Sequence, residues 1–169
     1  MDYTRGAGGA AIGARLRRVS EWIDGDATRV YAALGIDFEQ RWFGVLNQLA
    51  RQGPASVGEL ASALRITHVS VSQTRQSLEK AGIVASETDP ADARRRRLTL
   101  TEDGARLVER LTPLWRAFEE AALELNAEAG DAVAALDRLD DALARKSLFD
   151  RIIAIMPSPA SGRSAAPTG

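Results

Sequence analysis

Apolar residues recur at steps of three and four near the start of the chain: Ile12, Leu16, Val19, Ile23, Ala27, Val30 and Leu34. That spacing collects them on one face, so a long amphipathic helix is predicted over residues 12–34. Gly25 lies inside it at a cost of about 1 kcal/mol against alanine and marks a candidate bend. Gly35 supplies the usual helix stop. Asp37 is the expected N-cap of a second helix, with Gln40 completing a capping box. Phe38, Trp42, Val45, Leu46 and Leu49 would face its core, and Gly53-Pro54 ends it.

The period then shortens. Ser56, with Glu59 three residues on, caps a helix holding Leu60, Ala61 and Leu64. Thr67 caps the next, which buries Val71 and Leu78 and stops at Gly82. Residues 83–88 and 97–100 are strand-like and are joined by the Asp89-Pro90 turn and an arginine run. Thr101 caps another helix, with Glu102 and Asp103 in the first turn, where the helix dipole favours acids. Beyond it, Leu107, Val108, Leu111, Leu114, Trp115, Phe118, Ala122 and Leu125 form one stripe. Val133, Leu136, Leu139 and Leu143 form another, continued by Leu148, Ile152 and Ile153. Pro113 is expected to kink the first of these helices or divide it at Thr112.

The fold class that follows is mainly α with a small β-wing. A winged helix-turn-helix lobe covers about residues 37–101 of a single domain over 12–155, with further helices at 12–34 and 102–155. In that arrangement the second helix of the pair fits a DNA major groove, and the loop between the strands reaches the flanking groove. Residues 1–11 read as a flexible start, and 156–169, rich in Pro, Ser, Ala and Gly, as a disordered tail. The end helices carry more apolar surface than a small lobe needs, so a dimer interface built from both termini is expected.

Composition narrows the chemistry. With 169 residues, 45% hydrophobic and 27% charged, the chain suits one folded domain and not wholesale disorder. A net charge of −1 gives no global attraction to nucleic acid, so any such affinity must be local, and Arg94, Arg95, Arg96 and Arg97 supply it. The absence of cysteine excludes disulfides, thiolate metal sites and thiol switching, and a lone histidine, His68, excludes a histidine-rich metal site. No apolar run approaches the roughly 20 residues that cross a bilayer. Most of the basic residues near the start, Arg15, Arg17 and Arg18, follow the small apolar stretch, the wrong order for a signal peptide. A cytoplasmic protein without cofactor, metal or membrane partner is expected. No nucleophile–base pair or phosphate loop is visible, which argues against an enzyme.

Several residues together carry a family resemblance. They are Leu34-Gly35-Ile36, Leu60-Ala61, the run Leu78-Glu79-Lys80-Ala81-Gly82-Ile83-Val84, the wing Asp89-Pro90-Ala91-Asp92-Ala93-Arg94, and Leu98-Thr99-Leu100-Thr101 with Gly104. On these the chain resembles the MarR family of bacterial transcriptional regulators. The resemblance implies a triangular homodimer with interlocked terminal helices and two winged lobes bound to a pseudo-palindromic double-stranded operator. It also implies a regulator, usually a repressor, released by a small and often aromatic effector held between lobe and dimer helices. Two positions depart from the family: Gln73 stands where arginine is frequent, and Arg75 replaces an apolar residue and is expected to lie toward Glu79.

Within that frame His68, Val69, Ser70, Ser72 and Gln73 are candidates for DNA contact on the first turns of the recognition helix. Glutamine pairs with the two major-groove atoms of adenine, Ser and His reach base edges or phosphates, and Val69 suits a thymine methyl. Arg94 fills the family's wing position as the minor-groove residue, braced by Asp92, while Arg95 and Arg96 are candidate phosphate contacts. Ser56 and Thr67 are helix caps first and phosphate contacts second. Trp22, Trp42, Phe43, Trp115 and Phe118 are candidates for lining an effector cavity, against the plainer reading of core aromatics. The alternative function is a winged-helix protein–protein module without specific DNA binding.

Overall fold

Three hydroxyl side chains start three helices at the places their spacing predicts. Ser56 Oγ accepts from the Glu59 N–H at 3.2 Å, Thr67 Oγ1 from Ser70 at 3.1 Å, and Thr101 Oγ1 from Gly104 at 3.0 Å. Each satisfies a first-turn donor that has no partner within its helix. In the computed structural model, which describes residues 2–89, 92 and 96–157, these helices lie in the middle of a mainly helical chain. The order is α1 (Tyr3–Gly6), a 3-10 turn (Gly8–Ala11), α2 (Ile12–Ala33), α3 (Trp42–Gln52), α4 (Val57–Leu64) and α5 (His68–Lys80). Then come β1 (Val84–Thr88), β2 (Arg96–Leu100), α6 (Glu102–Glu128), α7 (Ala132–Arg145) and α8 (Leu148–Ile155).

The chain divides into two compact units at Thr112/Pro113. The first holds the winged lobe. Its β1 and β2 pair antiparallel, with Val84 opposite Leu100 and Thr88 opposite Arg96. Ala55 adds a single bridge to Leu98 just before α4. Tyr31, Val45, Leu46, Leu60, Val71, Leu78, Leu98 and Leu111 are its fully buried large side chains. They come from α2, α3, α4, α5, β2 and α6, so the wing and both flanking helices share one core with the helix-turn-helix.

Two backbone requirements set the junctions of this lobe. Arg65 closes the turn between α4 and α5 in the left-handed region, with φ 53° and ψ 39°. The second is at Gly104, where a Cβ would stand 2.0 Å from the carbonyl oxygen of Ile83. No side chain larger than hydrogen fits there without moving backbone.

In the second unit, α6 continues to Glu128 and α7 is capped by Asp131, whose carboxylate accepts from Ala134 N. Asn126 steadies the same corner by accepting from Val133 N at 2.8 Å. Ser147 caps α8, and the Arg151 guanidinium reaches back to the Ala142 carbonyl at 2.8 Å, closing the end of α7. Neither α7 nor α8 has a buried residue.

Several boundaries differ from expectation. Residues 3–11, expected to be flexible, are helical: Asp2 caps α1, and its carboxylate also takes a 3.1 Å bond from Arg18 on α2. The second helix starts at Trp42, not beside Asp37, and no capping box forms with Gln40. The Glu39 side chain is drawn sideways to Arg41 and Ser77, and the backbone turns through 3.1 Å and 2.8 Å bonds from Phe43 N to Gln40 O and from Trp42 N to Glu39 O. α2 runs unbroken through Gly25, and α6 runs unbroken through Pro113. Just before that proline the Thr112 hydroxyl donates to the Val108 carbonyl at 2.8 Å. The predicted tail falls largely in residues 158–169, which lie outside the described residues, as do Arg94 and Arg95 of the wing.

Replacing Gly104 with alanine is expected to cost about 2–3 kcal/mol through forced backbone movement. In this size of chain that lowers the unfolding temperature by roughly 5–10 °C. Calorimetry on Gly104→Ala checks it; an unchanged unfolding temperature would refute the close approach.

Candidate nucleic-acid interface

The hydropathy of α5 decides which way it faces. Val71, Thr74 and Leu78 are buried, one above another along the inner face. Thr67, His68, Val69, Ser70 and Gln73 are exposed on the outside, and Ser72 is half-buried. Val69 is 65% exposed, an apolar side chain standing in water among polar neighbours. Thr67 and Ser70 are not independent: their hydroxyls bond each other at 2.9 Å besides the capping bond. The expected Arg75–Glu79 pair is present at 3.9 Å.

His68 leaves the outer row and leans on the start of α4. Its Cε1 lies 3.5 Å from where a Cβ on Gly58 would stand. The same helix end opens a cleft of about 430 Å³ lined by Ser56, Val57, Gly58, Glu59 and Arg96. Ser56 and Glu59 form a full capping box there, with Ser56 N donating to Glu59 Oε2 at 2.7 Å. The helix start and the Arg96 guanidinium put donors on this cleft beside the Glu59 carboxylate, while the capping box already uses the Ser56 and Glu59 N–H groups. The structure thus brings Ser56, His68 and Arg96 around one helix end, while Gln73 and Val69 lie further along the exposed face of α5.

Alternation along β2 separates the arginines. Arg96 is exposed and donates to the Ser86 carbonyl across the hairpin. Arg97 turns inward: it donates to the Pro54 carbonyl and lies 3.9 Å from Glu59 and 4.0 Å from Asp89. It ties the wing to the start of α4. Arg97 is the structural member of the run, and strand periodicity already allowed only part of the run to face outward.

A polar cluster that no local sequence signal announces lies at the other end of α5. Ser77 Oγ accepts from Trp42 Nε1 at 3.1 Å and from Arg41 Nη2 at 3.3 Å, and donates to Glu39 Oε1 at 2.8 Å. Arg41 Nε closes the ring onto Glu39 Oε2 at 2.5 Å. The Arg41 guanidinium, and then the Ser77 hydroxyl, hold the Glu39 carboxyl below the usual carboxylate range. Beside this cluster runs a cleft of about 780 Å³ that also touches Asp37, Gln73, Gln76 and Lys80.

The proposed effector-lining aromatics take different places. Trp22 is 63% exposed on α2, with the Arg18 guanidinium carbon 5.4 Å from its ring centre. Trp42 is buried and Phe43 half-buried on α3, whereas Trp115 and Phe118 are half-buried in the second unit. What the first unit assembles is a stack the sequence reading missed: Tyr31 and Phe38 rings 4.6 Å apart, and Phe38 and Trp42 5.6 Å apart, edge to face. Among the described residues no acidic or histidine cluster has the makings of a metal site, and no helix is long and apolar enough to cross a membrane.

Comparison with known proteins places this geometry. Residues 34–95 match the model of the MarR family. The HTH-type transcriptional regulator PapX of Escherichia coli is 25% identical over 95 residues, 56% of this chain. The chain spans 58% of the length of that curated relative. The structure of Bordetella bronchiseptica BpsR, described with the regulation of its DNA binding by 6-hydroxynicotinic acid, is 26% identical with a TM-score of 0.65. That match covers 77% of this chain and 93% of the other. The S. aureus MepR–DNA complex is 23% identical with a TM-score of 0.66, over 78% and 98% of the two chains, and shows the shared fold.

Glu39 generates a pH prediction. Its carboxyl titrates below the ordinary 4.5, so its contribution to stability is complete above that value and is lost as pH falls through the depressed one. Between about pH 6 and pH 3, Glu39→Gln is therefore expected to lose less stability than the parent chain, measured by urea unfolding. Parallel curves would show that Glu39 gains nothing from Arg41 and Ser77.

Proposed function

We propose, from the match of residues 34–95 to the MarR family model, that the chain is a homodimeric, sequence-specific DNA-binding transcriptional regulator of that family. The observation that carries this reading is the exposed row on α5 beside the cleft of Ser56, Val57, Gly58, Glu59 and Arg96, a base-reading surface next to the Arg96 guanidinium. Helix α5 enters the major groove, with Gln73 and Val69 against base edges. Ser56, His68 and the helix starts take phosphates, and Thr67 and Ser70 act mainly as a mutually bonded cap. Arg94 contacts the minor groove, and Arg95 and Arg96 contact phosphates. Two-fold symmetry sets the recognition helices about 34 Å apart, so the operator is a pseudo-palindrome.

Dimerisation is assigned to the end helices. Leu16 and Ile23 on α2 are 42% and 51% exposed in the single chain, and α7 and α8 expose Leu136, Leu148, Ile152 and Ile153. A second copy is the natural cover for surfaces of that extent. The regulator acts as a repressor released by a small aromatic acid; BpsR, whose DNA binding 6-hydroxynicotinic acid regulates, supports that class of effector.

Fluorescence anisotropy on the DNA upstream of the protein's own gene tests the main reading. Binding should survive scrambled competitor and weaken steeply with salt as phosphate counterions are displaced. Binding erased by competitor would favour a winged-helix protein–protein module. Arg94→Ala should weaken operator binding roughly tenfold with the dimer intact; undiminished affinity would remove the wing from recognition. Leu16→Glu with Ile23→Glu should give a folded monomer by sedimentation, since both side chains are exposed in the single chain, and a persistent dimer would refute the interface.

A further inference from the structure

We infer that Ser77, Glu39 and Arg41 form a clasp that fixes the rotation of α5 and so positions Gln73 for base reading; the DNA part of this rests on the function proposed above. The argument begins with the hydrogen-bonding capacity of one hydroxyl. A serine Oγ offers one donor and two acceptor sites. Ser77 uses all of them, accepting from Trp42 and Arg41 and donating to Glu39. Two of those partners, Glu39 and Arg41, lie in the turn before α3 and also bind each other at 2.5 Å, so the ring is closed. A closed ring with directional bonds adds to the resistance to rotation that the buried packing of Val71 and Leu78 already supplies.

Position gives the clasp its consequence. Ser77 is four residues beyond Gln73 and therefore one turn away on the same side of α5. Both line the same cleft, with Gln76 and Lys80. A bidentate base contact tolerates only about 0.5 Å and 10–20° of error. A helix held at Ser77 carries Gln73 with it.

The clasp also has a second attachment. Trp42, which donates to Ser77, stacks edge to face on Phe38, and Phe38 stacks on Tyr31 of α2. Tyr31 is 2% exposed, and its carbonyl accepts from Ile36 N at 2.9 Å, so the turn leaving α2 is fixed to the same stack. The recognition helix is thereby joined to α2 by three rings and one hydroxyl. The clasp borders an open cleft rather than the core, so losing the Ser77 hydroxyl leaves no large void.

The test compares the full chain with Ser77→Ala and Ser77→Thr in two readouts on the protein alone: amide hydrogen exchange, and the indole N–H resonance of Trp42 assigned through Trp42→Phe. Ser77→Ala should shift that resonance and speed exchange about tenfold in the last turns of α5 and in residues 39–43, with α4 and β1 unchanged. Ser77→Thr should restore both. On operator DNA, Ser77→Ala should lose about tenfold in discrimination between specific and scrambled sequence while keeping its salt dependence. An unmoved indole resonance, or faster exchange spread evenly over the lobe, overturns the clasp. Unchanged discrimination in a chain that does bind its operator overturns its positioning role. If the parent chain binds no DNA, the function proposed above fails, and the exchange and indole results still decide whether the clasp exists.

Discussion

The arrangement of the lobe depends on one crowded backbone junction, where the exit of α5, the start of the wing and the start of α6 meet. The Ile83 carbonyl accepts the Thr101 N–H at 3.1 Å, and the Thr101 hydroxyl donates to the Gly82 carbonyl at 2.7 Å. The same hydroxyl caps α6, and Gly104 leaves room for the Ile83 oxygen where any side chain would collide. Gly82 makes the approach available with φ 72°, a region a side chain strongly disfavours. With this junction fixed, the hairpin leaves in one direction, and Leu98 of β2 and Leu111 of α6 are delivered to the core. The helix that faces outward and the strands beside it are then held by the same few atoms.

Electrostatics acts locally on this frame. A chain of net charge −1 has no long-range pull on a polyanion, so position decides what each arginine does. Arg97, between Pro54, Glu59 and Asp89, is used up in holding the wing against α4. Arg41 is used up on Glu39 and Ser77. Arg96 keeps its exposure and its place on the cleft at the start of α4. All three are held by contacts, Arg96 through the Ser86 carbonyl, and Arg96 alone of them also lines the cleft at the start of α4.

The ends of the chain follow a different economy. In α2 the inner positions Ala27 and Tyr31 are buried, while Ile12, Leu16, Val19 and Ile23 on the earlier turns stay exposed. One helix thus serves the lobe with its last turns and presents an uncovered apolar stripe with its first. α7 and α8 have no buried residue. A stripe of this kind is stable in water when a partner covers it, and its regular spacing is that of helix–helix packing.

The sequence by itself determined the local structure. Hydroxyl caps at Ser56, Thr67 and Thr101, glycine stops at Gly35 and Gly82, and three-and-four spacing fixed most helix positions, because those signals act within one or two turns. The exposed row on α5 and the inward face of Val71 and Leu78 were legible for the same reason. Tertiary structure decided the rest. The helix expected at Asp37 starts instead at Trp42, where Glu39 finds a partner in Ser77, 38 residues away along the chain and beyond the reach of any local signal. Likewise Arg97 became a structural tie and Gly104 an obligatory glycine through contacts with Pro54 and Ile83. Short-range periodicity says which face of a helix is apolar; which distant side chain meets it is settled only when the core closes.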